Sequence, residues 1–153
     1  MAQELVSPGM LIIIATLLAA VSGVPLLVPA LLGASRGQLL SILLMLAASC
    51  LGLTGSVLIL SGRRSEIFEL AWTLPFGTAE FGVDPLSSWF LLPIFLVPAC
   101  AALYARTYWS ADRYPGSIRK MTFFFGWMVA GMSGVVIARD GIFFLFAWEI
   151  MAL

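Results

Sequence analysis

The chain closes on "FLFAWEIMAL", where one acid, Glu149, sits among apolar residues. A carboxylate in such a run has three chemical options. It takes up a proton, it pairs with a cation, or it faces water inside a bundle. Each of the three relieves the cost of an ionised acid at membrane depth, at least ~2.5 kcal/mol. Counted from Gly141, Glu149 is the ninth residue of its segment. Helical rise places it roughly 12–14 Å from the start, near the middle of a bilayer. No other charge falls at that depth. Arg139 is ten residues away at the interface, and Arg106 is near the end of its own segment. The partner cation is therefore expected on another chain or on sequence following Leu153. A terminus within a turn of Glu149 would set a second carboxylate and unsatisfied carbonyls in hydrocarbon. On that ground the chain reads as the N-terminal fragment of a longer membrane protein. The bland alternative is an incidental acid at a frayed end.

Composition fixes the class of element that must carry this acid. Hydrophobic residues make up 61% of the 153 and charged residues 10%. Soluble domains carry roughly 45–50% and about 25%. The chain reads as an all-α polytopic membrane protein with one transmembrane region over residues 1–153. Net charge is zero, which points to neither nucleic acid nor an anionic surface as partner. There is no His, and Cys50 and Cys100 lie far apart in apolar runs. That excludes an imidazole or thiolate metal site and leaves both Cys as small packing residues. No cofactor ligand set is visible. The N-terminus has an acid and no basic stretch, which argues against a cleaved signal peptide.

Four apolar runs are long enough to cross a bilayer, at residues 10–32, 38–61, 85–109 and 121–138. A fifth begins at Gly141, with Asp140 suited to cap it, and runs to residue 153 as the start of a further helix. Pro25 and Pro29 are expected to kink the first. Pro85 fits the first turn of the third, with Pro93 and Pro98 interior to it. The longest connection lies between the second and third helices and holds four of the eight acids: Glu66, Glu69, Glu80 and Asp84. Within it "LPFGTAEFGVD" reads as a small β-hairpin at the membrane surface or as an irregular amphipathic loop.

Basic residues set the expected orientation. One side has Arg36, Arg106, Arg113, Arg119 and Lys120; the other has Arg63, Arg64 and Arg139. The N-terminus is then outside. Tyr104, Tyr108, Trp109 and Tyr114 gather at the cytoplasmic boundary, as an interfacial aromatic belt does. Two rows of small residues recur every fourth position: Gly126, Ala130, Gly134, Ala138 on the fourth helix and Ala48, Gly52, Ser56 on the second. Such rows let neighbouring helices approach closely.

Several stretches together carry a resemblance. "FGVDPLSSWFLLP" and "GMSGVVIARDGIFFLFAWEIMAL", with its Trp148–Glu149 pair, resemble the third, fourth and fifth helices of a family of antiporter-like subunits. These belong to respiratory complex I, group 4 membrane-bound hydrogenases and Mrp-type cation/proton antiporters. The "WEIMAL" ending is most similar to hydrogenase-4 component B and formate hydrogenlyase subunit 3. The resemblance spans residues 82–153; the first two helices match in hydropathy only. It implies about fourteen or more helices in two inverted five-helix repeats, with an external loop after the second helix. It also implies that Glu149 pairs with a lysine on a broken seventh helix and modulates its charge during proton movement. That lysine has no counterpart here, since Lys120 is the only Lys and is interfacial.

The function expected from all this is part of a proton- or cation-translocating subunit of a redox-driven complex. The chain would be an oxidoreductase-complex subunit without a redox site or cofactor of its own. Its partners would be the lipid bilayer, the other membrane subunits of a respiratory or hydrogenase complex, and the remaining C-terminal helices. Its place would be the inner (plasma) membrane. The rival expectation is a small membrane scaffold that binds partners through the Gly126 row and transports nothing.

Overall fold

The computed structural model describes residues 7–28, 33–62, 65–74, 77–111 and 113–152, with backbone alone for residues 70–74 and 77–79. Its elements are α1 (Pro8–Val21), α2 (Val24–Leu27), α3 (Ala34–Gly62), β1 (Glu66–Leu74), β2 (Gly77–Val83), α4 (Pro85–Tyr108), α5 (Pro115–Ile137) and α6 (Gly141–Ala152). Taking α1 and α2 as one span, four helical stretches are long and apolar enough to cross a membrane. Only 33–44% of each apolar stretch is buried. Leu17, Val57, Trp89, Val97 and Phe146 point outward instead. Both faces of these helices are therefore apolar, as lipid contact requires and water contact does not.

Local chemistry explains where the helices begin. Ser7 Oγ accepts from the Met10 amide at 3.3 Å, with Pro8 in the first turn of α1. Asp84 caps α4 by accepting from the Ser87 amide at 2.6 Å, again with a proline next in line. Proline suits these positions because its missing N–H would have had no helical partner. Pro93 and Pro98 lie inside α4, and the helix continues through both.

Several expected boundaries move. The first span does not kink at Pro25. It breaks at Ser22–Gly23, and Pro25 falls in the opening turn of α2. Pro29, Arg63, Arg64 and Leu153 lie outside the described residues. The second helix begins at Ala34 rather than residue 38. The fourth begins at Pro115, six residues before the apolar run, so Arg119 and Lys120 belong to its opening turns and not to a loop. It ends at Ile137; Ala138 is its extended C-cap and forms an isolated antiparallel bridge with Phe81.

The connection after α3 folds into a two-stranded antiparallel hairpin, so the chain is not purely α. Its first strand reaches back into "EIFELAWTL", beyond the stretch that suggested it. Glu66 pairs with Val83 and Leu70 with Ala79, with an irregularity before Thr73. The hairpin lies over one end of the bundle. There Glu66 accepts from the Gly9 amide at 2.8 Å, satisfying a donor left open at the start of α1.

Beneath it the core stacks in three groups. Ile12, Ile59, Val83, Leu91, Phe95 and Ile137 lie by the hairpin. Ala19, Met45, Ala48, Ala102 and Val129 fill the middle. Leu26, Ala111 and Ile118 close the far end. Small residues set how near the helices come. The Phe95 ring lies directly over Gly52 of α3, where no side-chain carbon would fit.

Candidate functional site

The start of α6 is fixed from two sides. Asp140 Oδ1 accepts from the Phe143 amide at 2.8 Å, so it caps the helix as its position in sequence suggests. Its other oxygen accepts from the Glu80 amide of β2 at 3.2 Å. Arg139 donates its own amide to the Glu80 carbonyl at 3.1 Å. The Phe81 ring meets Phe143 edge-on, with centroids 4.3 Å apart. The hairpin thus holds the α5–α6 corner through backbone bonds, a cap and an aromatic contact.

Arg139 adds an ion pair. Its Nη2 donates to Asp84 Oδ2 at 2.8 Å and to Ser87 Oγ at 3.1 Å, linking this corner to the first turn of α4. The Ser87 amide holds the Asp84 carboxyl below its ordinary value of 3.8. Partial burial opposes that shift, while the Ser87 hydroxyl and the Arg139 charge reinforce it. A depressed acid stabilises the fold above its unfolded pKa and loses that contribution as pH falls through the folded one. Both side chains are about a third exposed, so the pair is worth about 0.5–1 kcal/mol. Asp84→Asn keeps a capping oxygen and removes the charge. It should lower the unfolding midpoint of the purified protein at about pH 6, and the difference from wild type should shrink as pH falls below the ordinary value of 3.8 and through the folded pKa. A difference constant across that range would mean that the ion pair contributes nothing.

Beyond its first turn α6 packs on α5 through one stripe. A Cβ on Gly134 would lie 3.0 Å from the Ala147 Cβ, and one on Gly131 would lie 2.7 Å from the Met151 nitrogen. Ala147 is buried and Met151 half-buried. Glu149 lies two residues from each, which at 100° per residue turns it to the opposite side of α6. It is exposed. Among the described residues it has neither a hydrogen bond nor an ion pair. The acid therefore points away from the helices of this chain, not into a water-lined interior between them. Trp148 beside it is half-exposed and stacks at a tilt on Phe144, with centroids 5.8 Å apart.

The row on α5 divides between two neighbours. Gly126 meets α1, where an added Cβ would lie 2.5 Å from the Ala19 carbonyl oxygen; Gly134 meets α6. A four-residue step overshoots a 3.6-residue turn by about 40°, so the row winds from one neighbour toward the next. Ala130, half-buried, lies between them. Ala138 has left the helix. Among the described residues no three His, Cys, Asp or Glu side chains converge to hold a metal.

Sequence reading gave no role to Gln38 beyond opening a helix. Its side chain is 7% exposed and joins α3 to the end of α4. Nε2 donates to the Trp109 carbonyl at 3.0 Å and the Ala105 carbonyl at 3.3 Å, while Oε1 accepts from the Ala111 amide at 2.8 Å. Its partners are 67 to 73 residues away, so no local pattern announces them. Among known proteins, no protein-family model and no curated protein matches the chain.

Proposed function

We propose that the chain forms part of a proton- or cation-translocating membrane subunit of a redox-driven complex, with Glu149 as the acid that modulates the charge of a translocating lysine. The observation that carries this reading is the outward placement of Glu149 on an apolar helix whose other face is taken by α5. A carboxylate presented to hydrocarbon is costly, so the placement calls for a cation from a helix outside these residues. The resemblance of residues 82–153 to antiporter-like subunits supplies the type of cation, a lysine.

The chemistry needs only electrostatics. An ionised Glu149 beside a lysine ammonium holds the proton on the lysine. Moving the two apart in a low-dielectric setting lowers the lysine's pKa, and the proton leaves toward the open half-channel. Bringing them together restores proton uptake from the other side. The redox cofactors belong to other subunits. The multi-pass placement in the inner (plasma) membrane, with the N-terminus outside, belongs to this proposal. The scaffold alternative loses its docking row, because Gly126 and Gly134 are covered within the chain.

In the complete assembly, reconstituted in proteoliposomes, Glu149→Gln should cut ion pumping about tenfold or more, since losing one partner of a desolvated charge pair removes several kcal/mol. Assembly and electron transfer should persist, and Glu149→Asp should retain part of the pumping. Wild-type pumping by the Gln variant would refute the proposal.

A further inference from the structure

At the end of the bundle opposite the hairpin, a cavity of about 270 Å³ opens between the start of α3 and the end of α4. Its walls include Ser35, Arg36 and Gln38 from one side and Arg106 and Ser110 from the other. Two guanidinium groups thus flank one polar hollow. Among the described residues neither has an acid as partner; the single ion pair there is Arg139–Asp84, at the other end. The first turn of a 29-residue helix also borders the hollow, adding open amides and the positive end of its dipole.

A second cavity shares the walls Gln38 and Ile42 and is lined chiefly by apolar side chains, among them Met45, Ala102 and Phe125. Two of its lining residues have a buried donor with no hydrogen-bond partner among the described residues, Ser41 Oγ and Trp109 Nε1. Ser41 is 2% exposed. It lies five residues beyond Arg36 on α3, roughly 7–8 Å deeper along the helix. Cationic groups at the rim, an unpaired indole donor near their level and an unpaired Ser41 hydroxyl in the greasy chamber below match one amphiphile. We infer that this pair of cavities binds an anionic phospholipid, with its phosphate between Arg36 and Arg106 and its ester region beside Ser41 and Trp109. Paired arginines suit phosphate because their planar donors form forked bonds to its oxygens. A free phosphate would use the rim alone and leave the deeper Ser41 hydroxyl unpaired. The inference rests on the chain spanning a bilayer and is independent of the role of Glu149.

The test uses the full chain, delipidated in neutral detergent and titrated with phosphatidylglycerol, phosphatidylcholine or inorganic phosphate. Retained lipid is read by native mass spectrometry and stability by thermal unfolding. Phosphatidylglycerol should bind in a one-to-one complex, raise the unfolding midpoint and resist exchange by phosphatidylcholine. The double variant Arg36→Gln/Arg106→Gln should weaken that binding about thirtyfold, at the usual strength of two arginines near a lipid surface. Equal retention of the two lipids by wild type would overturn the inference without any variant. So would equal stabilisation by inorganic phosphate, or undiminished phosphatidylglycerol binding by a folded double variant.

Discussion

Gly126→Leu is expected to cost the bundle about 3 kcal/mol or more, the upper end for forcing bulk into a packed site. The reason lies in what surrounds the position. An added Cβ would stand 2.5 Å from the Ala19 carbonyl oxygen and 2.7 Å from Ser22 Oγ, which itself donates to that carbonyl at 2.7 Å. The nearest obstacle is α1 backbone, so no rotamer change relieves the clash. The neighbouring crossing is equally tight, since a side chain on Gly23 would run into the Phe123 backbone. The helices must therefore separate. In lipid that separation is severe, because close packing rather than water exclusion holds membrane helices together. Gly116→Ala on the same helix meets nothing within 4 Å and serves as the control. Denaturant unfolding in micelles measures both. Equal midpoints for the two variants would show that α1 and α5 do not need this contact.

The second large effect is expected at Gln38. Gln38→Leu fits a similar volume yet removes three hydrogen bonds. The Ala105 carbonyl still accepts from the Trp109 amide at 3.0 Å, so it keeps a partner. The Ala111 amide loses its acceptor and the Trp109 carbonyl its Gln38 donor. Leaving a buried polar group unsatisfied costs about 1–3 kcal/mol, so the pair should cost about 2–4 kcal/mol. The damage should be local before it is global. Hydrogen exchange should accelerate in the corner between α4 and α5 while the hairpin end stays protected. Unchanged exchange at Ala111 would mean that Gln38 does not hold this corner.

How far the sequence disclosed the fold depended on whether the signal was local. The spans were legible because hydrocarbon contact imposes a long apolar run regardless of neighbours. The start of α5 was misplaced because hydropathy ends where the polar first turns begin, though Pro115 already marked the true opening. The hairpin was half legible: its second strand showed in "GTAEFGV", but its first strand was hidden in a loop rich in acids. Glu149 stood out as a lone acid in a greasy helix. Its direction did not, since that depends on Gly131 and Gly134 claiming the opposite face. Arg139 was legible as an interfacial charge too far from Glu149 to pair with it, but its bond to Asp84 spans 55 residues.

The hairpin's hold on the α5–α6 corner has a mechanical consequence. It fixes the start of α6 at Asp140, while Gly131 and Gly134 hold the rest of α6 against α5, with the acid roughly 12 Å from the cap. A tilt of α5 and α6 together by about 10° would swing Glu149 by roughly 2 Å at that reach. Separating an ion pair by such a distance in a low-dielectric medium changes its energy by kilocalories, not tenths. Whatever displaces the hairpin must therefore carry the α5–α6 corner with it.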